Sequence, residues 1–223
     1  GITPVVSSLA FVQQCRDKRL INQFFESCGI AVPRPISKEH PTFPLFIKPY
    51  NGSLSKDIFL VKNPEELTEY HLTNPDLLFM EYISPKEFDE YTVDAYYDRS
   101  GTLKCAVPRK RLFVRAGEIN KGITEKNELL SFVKKHLPFI EGGRGCLTMQ
   151  FFFNRKTQQV IGIEINPRFG GGFPLSDAAG ANYPRYLIAE YLLGQEIPFQ
   201  DDWEDQLLML RYDEAVFVKH YET

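Results

Sequence analysis

The sequence predicts an α+β fold of two lobes around a cleft, with mainly antiparallel sheets. Three observations carry this. Short β-branched and aromatic runs recur with turn residues between them, as in hairpins and meanders. Helical periodicity is confined to separate segments, such as Leu20, Ile21, Phe24 and Phe25, so helices and strands segregate. Pro33, Pro35, Pro41 and Pro44 form an extended connector, and the pattern changes after Ile83, which suggests the lobe division.

The elements follow in chain order. A helix starts near Ser7 or Ser8, and a second runs from Asp17 to Ser27 with Gly29 as its stop. Leu45 to Pro49 and Asp57 to Val61 read as strands around a loop from Tyr50 to Lys56. Pro64 to Tyr70 reads as a short helix capped by Asn63. Leu77 to Ile83 is a strand, and Glu90 to Tyr97 with Leu103 to Phe113 form a meander around Arg99 to Gly101. A helix capped by Thr124 runs to His136. Leu147 to Phe153 and Val160 to Arg168 form a hairpin, with Gly170 to Gly172 as a bend behind it. Tyr183 to Leu193 is an amphipathic helix stopped by Gly194, residues 198–206 an acidic loop, and Ala215 to Lys219 a last strand. The division expected is 1–16 as a remnant or linker, 17–83 as a helix plus lid lobe, 84–200 as a core lobe and 201–223 as a tail.

Bulk properties exclude several classes. The 223 residues are 43% hydrophobic and 25% charged, with net charge −3 and pI near 5.9, ordinary for a globular protein. No basic footprint points to nucleic acid, and Arg109, Lys110, Arg111 and Arg115 read on composition as a solvated strand edge. Cys15, Cys28, Cys105 and Cys146 are scattered without metal-ligand spacing, so zinc is not expected and free thiols imply a reducing, cytoplasmic setting. No apolar run approaches the roughly 20 residues of a membrane helix. No signal-peptide pattern is present, and residue 1 is Gly rather than Met, which reads as processing, tagging or truncation. His40, His71, His136 and His220 do not group with Ser7, Ser53, Ser176 or a cysteine in a triad pattern.

The hairpin at 147–168 carries the most chemistry. Residues two apart in a strand share a face, so Glu164, Asn166 and Arg168 line one side. Pairing about Thr157 sets Gln150 opposite Glu164. One carboxylate and two amides then stand on one wall, an oxygen set suited to a hard cation such as Mg²⁺ with phosphate oxygens. Arg168 beside them suits an oxyanion or a transferred phosphoryl group. Upstream, Lys48 before Asn51-Gly52-Ser53 resembles a hairpin that covers phosphates, with Gly and Ser letting donors approach.

In order, Asp17-Lys18, Phe46-Ile-Lys48-Pro, Phe79-Met-Glu81-Tyr-Ile, Asp89-Glu90-Tyr-Thr-Val-Asp94, Met149-Gln150-Phe and Glu164-Ile-Asn166-Pro-Arg168 resemble the ATP-grasp superfamily. The likeness is nearest to its carbamoyl-phosphate-synthase large-subunit branch and runs from about Arg16 to about Gly194. The resemblance implies ATP with Mg²⁺, or Mn²⁺ in its place. It implies that Lys18, Lys48 and Ser53 meet the phosphates, and that the strand end at Glu81, Tyr82 and Ile83 meets the adenine. Glu90 would meet the ribose, Gln150, Glu164 and Asn166 the metal, and Arg168 the transferred phosphoryl group.

The implied activity is an ATP-dependent ligase joining a small-molecule carboxylate to an amine through an acyl phosphate. The alternative is a non-catalytic ATP-binding module or subunit that needs a partner domain. Three departures accompany the likeness. The loop from Ser53 to Asp57 lacks further glycines, residue 150 is an amide where some relatives carry a carboxylate, and sixteen residues precede Asp17 where relatives carry an additional α/β domain. A homodimer or a partner chain supplying that domain is the expected assembly. The Arg109 to Arg115 segment and Gly170 to Gly172 are expected to face the acceptor.

Overall fold

A computed structural model describes residues 4–52, 57–115 and 118–212. Two N-terminal helices, α1 (Leu9–Arg16) and α2 (Lys18–Ser27), meet at Asp17. The extended backbone of Asp17 ends α1, and its carboxylate accepts the Arg19 N–H at 2.9 Å to start α2. Ser8 caps α1 by accepting the Phe11 N–H at 3.2 Å. Gly29, at φ +72°, turns the chain out of α2 as its sequence position suggests.

Strands β1 (Leu45–Pro49), β2 (Phe59–Val61) and β3 (Leu77–Glu81) form an antiparallel sheet in the order β2-β1-β3. The single helix expected at 64–70 is instead a 3₁₀ turn, Pro64–Glu66, followed by α3 (Glu69–Thr73). Two caps compete for one segment. Asn63 accepts from Glu66 N–H, and Thr68 forms a reciprocal capping box with His71, so Leu67 is left extended between them.

The second sheet holds β4 (Asp89–Tyr97), β5 (Leu103–Arg115) and β6 (Glu118–Thr124). After α4 (Glu128–His136) come β7 (Gly145–Asn154) and β8 (Gln159–Asn166). Helices α5 (Phe173–Ala178) and α6 (Tyr183–Tyr191) precede β9 (Leu208–Leu210). All pairings are antiparallel, in the order β8-β7-β4-β5-β6-β9. The helix expected from Thr124 begins at Glu128, because Asn127 is its cap. Thr124 closes β6 instead, donating to Glu204 O at 2.8 Å and accepting the Leu207 N–H at 2.9 Å. The strand expected at 215–219 lies outside the described residues.

Alternation gives the large sheet two faces. Tyr91, Val93, Met149 and Phe151 point to one side, where they pack with Ile21 and Phe25 of α2 and Leu129 and Val133 of α4. Burying one such side chain is worth roughly 1.5–3 kcal/mol. Gly162 of β8 allows α2 to approach, since a Cβ there would lie 2.7 Å from Phe25 Cδ2. On the opposite face Tyr96, Cys105 and Val107 pack with Phe173, Tyr183 and Trp203. The rest of that face carries Glu90, Thr92, Asp94, Gln150 and Glu164, with Phe152 among them. Leu45, Ile47, Val61, Leu77 and Phe79 form a separate core in the small sheet. Among the described residues no helix is long and apolar enough to cross a membrane.

Candidate functional site

The polar face of the large sheet and the small sheet bound one cavity of about 760 Å³. Register explains what lines it. Glu164 pairs with Gln150, Gln150 with Thr92, and Thr92 with Arg109, so these four form a row across β8, β7, β4 and β5. Asn166, Thr148 and Asp94 form the adjacent row on the same face. Neighbouring strands lie about 4.8 Å apart; Gln150 does stand beside Glu164, but through a register irregularity between Gln150 and Phe151, since nearer the turn Asn154 pairs with Gln159 and Phe151 with Gly162.

The wall is internally bonded. Asn166 Nδ2 donates to Glu164 Oε1 at 2.7 Å. The remaining donors, Glu164 Oε2, Asn166 Oδ1 and the Gln150 amide oxygen, are all oxygens and fit a hard divalent cation. Among the described residues no group of three or more His, Cys, Asp or Glu could hold a metal, so any ion here depends on the amides. Arg168 follows β8; its Nη1 donates to Phe169 O at 3.1 Å, and its backbone O accepts from Thr148 Oγ1 at 2.9 Å.

Two lysines line the same cavity, near enough for the Glu164 charge to act on both. Lys48 on β1 is 7% exposed, and its pKa is pushed down to about 8 by burial, then by Lys18, against the attraction of Glu164. Lys18, at the first turn of α2, donates Nζ to Gly52 O at 2.7 Å. Burial lowers its pKa too, while Glu164 and then Asp17 oppose the shift. Gly52 and Lys18 are therefore joined at the edge of the loop. Ser53, the remaining residue expected there, lies outside the described residues.

At the far end, Glu81 is turned toward Arg34: its Oε1 accepts the Arg34 N–H at 2.9 Å, and Oε2 lies 3.7 Å from Arg34 Nε. Tyr82 and Ile83 follow β3 along the cavity, with no backbone hydrogen bond among the described residues. Pro33, Phe46, Met80 and Ile163 give this end an apolar lining. Glu90 on β4 pairs with Arg111 at 3.2 Å. Burial raises the Glu90 pKa, Arg111 opposes the rise, and Glu164 adds to it.

One group was given no role in the sequence reading. Asp94, fully buried, pairs with Arg109 through Nε at 2.8 Å and Nη2 at 3.1 Å. It also accepts from Ser176 Oγ at 2.6 Å, and Thr148 Oγ1 lies 3.4 Å away. The reading of 109–115 as a solvated edge is corrected at Arg109, which is 1% exposed, and β5 is an interior strand. The signal was present in Val93-Asp94-Ala95, a charge between apolar neighbours in a strand, which a buried partner must neutralise.

The family model described as "ATP-grasp in the biosynthetic pathway with Ter operon" matches residues 73–214, more than half of the chain. The chain belongs to this ATP-grasp family. A search of curated proteins gives no match. Among solved structures, the biotin carboxylase domain dimer of Hydrogenobacter thermophilus 2-oxoglutarate carboxylase, solved with MgADP, ADP and bicarbonate, superposes with a TM-score of 0.72 at 16% identity. That match covers 91% of this chain and 51% of the other. Staphylococcus aureus N5-carboxyaminoimidazole synthetase, complexed with ADP, gives 0.64 at 18% identity over 78% of this chain and 50% of its own. The L-amino acid ligase of Bacillus licheniformis gives 0.53 at 16% identity over 73% and 42%. The chain thus spans about half the length of these structures. The likeness establishes the ATP-grasp fold: two sheets, the smaller facing the polar side of the larger.

Proposed function

We propose that this ATP-grasp chain is an ATP-dependent carboxylate–amine ligase with its nucleotide in the cavity between the sheets. The observation that carries the reading is that Lys18 and Lys48 share one cavity with the Gln150, Glu164 and Asn166 wall, within reach of the Glu164 charge. The adenine lies against Pro33, Phe46, Met80 and Ile163, and the backbone of Tyr82 and Ile83 bonds its edge. The Glu81 carboxylate, occupied by Arg34, fixes the strand end rather than the base. Glu90 accepts the ribose hydroxyls, steadied by Arg111.

Lys18, Lys48 and the loop at Ser53 hold the phosphates, while Gln150, Glu164 and Asn166 would hold Mg²⁺, or Mn²⁺ in its place. The ion, when bound, supplies charge neutralisation at phosphate oxygens. A carboxylate oxygen of the acid takes the γ-phosphoryl group, giving ADP and an acyl phosphate. An amine then attacks the acyl carbon, phosphate leaves, and the amine loses a proton. Lys48 and Arg168 offset the negative charge in transit, and no protein nucleophile is needed.

The Arg109 to Arg115 segment and Gly170 to Gly172 form the acceptor side. The motif set favours the carbamoyl-phosphate-synthase-like branch, and the four cysteines, all free, suit a cytoplasmic setting. The proposed lobes keep 17–83 with the lid and 84–200 with the metal wall. The assembly, either a homodimer or a pairing with a chain that supplies an N-terminal domain, is part of the proposal and is read from the mass in solution.

The test is ADP release from Mg-ATP over pooled small carboxylates and amines. The reading expects ADP and phosphate in equal amounts only when acid and amine are both present. ADP release independent of both would overturn it.

A further inference from the structure

The cavity changes character where β5 meets β6. Val114 and Ile119 are cross-strand partners in that hairpin, and both line the cavity. Ile119 is 6% exposed. The same cavity is lined by Arg109, Arg111 and Arg168, so an aliphatic pair among them marks a place for an apolar group.

Two glycines make room for Ile119. A Cβ at Gly122 would lie 2.5 Å from Ile119 Cδ1, and one at Gly172 would lie 2.6 Å from Ile119 Cγ2. Neither glycine has a positive φ, so what each supplies is space. The backbone is held as well. Arg211 Nη1 donates to Ile119 O at 3.2 Å, and the Arg211 N–H donates to Asn120 O at 3.0 Å. The side chain is thus seated in the cavity wall as the structure stands, and a ligand can meet it without any rearrangement.

The charges beside the pair are already balanced. Arg109 meets Asp94 at 2.8 Å, and Arg111 meets Glu90 at 3.2 Å. A second carboxylate or an ammonium placed here would lose water to an aliphatic surface without gaining a new counter-charge, which is costly. A hydrocarbon chain carries no such penalty and gains about fourfold in affinity for each methylene it buries.

We propose that Val114 and Ile119 form the specificity wall for the acid substrate and select a monocarboxylate with an aliphatic tail. The proposal rests on the ligase reading above, in which the β5–β6 side takes the acid, and it names the class of that acid. The carboxylate is turned to Arg168 and the γ-phosphate, and the tail lies against the pair. Gly122 and Gly172 seat Ile119 and do not touch the tail.

The test uses the full chain, saturated with Mg-ADP and isotope-labelled at the isoleucine δ1 methyls. The Ile119 signal is assigned by its loss in Ile119→Val. Acetate, butanoate, hexanoate, glutarate, butylamine and hexylamine are titrated separately. Butanoate and hexanoate should move the Ile119 methyl saturably, with affinity rising about fourfold per methylene from acetate upward. Ile119→Ala should weaken hexanoate about tenfold and leave acetate unchanged. The unsubstituted titration decides the matter even if that variant folds poorly. Equal affinity for acetate and hexanoate, or an Ile119 methyl that none of the acids moves, overturns this inference alone. Glutarate bound as tightly as hexanoate overturns the apolar class. A chain-length gain for the amines and none for the acids overturns the assignment to the acid. Failure to bind Mg-ADP overturns the ligase reading, and this inference with it.

Discussion

Asn166 donates its side-chain N–H to Glu164, with Nδ2 2.7 Å from Oε1. The bond leaves Asn166 Oδ1 and Glu164 Oε2 as the outward oxygens of the wall, fixed relative to each other before an ion arrives. In the proposed metal site residue 166 would serve both as a ligand and as a brace for the carboxylate. Asn166→Ala should weaken Mn²⁺ binding by about 10- to 100-fold, the range for losing a group that orients a metal ligand. Electron paramagnetic resonance of free Mn²⁺ measures it, with an unchanged melting temperature as the control.

Lys48 gives a prediction in which stability and binding move oppositely. Its pKa falls from the usual 10.5 to about 8, chiefly by burial. Between those values the unfolded chain holds more protons than the folded one, so stability rises with pH from 8 to 10.5. Below pH 8 both states are protonated and the full penalty remains, about 3 kcal/mol for a shift of this size. Lys48→Met should therefore stabilise the chain at pH 7, by up to about that amount, with the difference shrinking as pH climbs through the window. The same change should weaken Mg-ATP binding. Urea unfolding at pH 7 and pH 10 checks the first part; a variant less stable at pH 7 contradicts it.

The Asp94–Arg109 pair predicts a large loss of stability. Asp94→Ala strands a guanidinium that is 1% exposed, which should cost about 3–5 kcal/mol. The double substitution Asp94→Ala with Arg109→Met should cost less than the single one, since no unpaired charge is left. Urea denaturation of the two variants tests the order.

These groups differ in how far the sequence disclosed them. Gln150 and Glu164 were legible as strand residues from the two-residue period on either side of a polar turn at 154–159, but their exact pairing rests on an irregularity between Gln150 and Phe151 that neither period nor turn discloses. Lys18 and Lys48 stood at the ends of clear elements. The strand β6 was not legible: Asn120, Lys121 and Gly122 give no apolar alternation, and pairing with β5 and β9 makes the strand. The short helix α5 follows three glycines and carries Pro174 as its second residue, so local propensity read only a bend. Asp94 and Arg109 are 15 residues apart, and register between β4 and β5, invisible to periodicity within either strand, brings them together.

The central claim is that Glu164 belongs to the metal side of an ATP site, and calorimetric titration with ATP tests it directly. With Mg²⁺ present, the unsubstituted chain should bind ATP far more tightly than with a chelator. Glu164→Ala should lose that Mg²⁺ dependence while melting at the same temperature. Equal Mg²⁺-dependent binding by the two proteins would contradict the account.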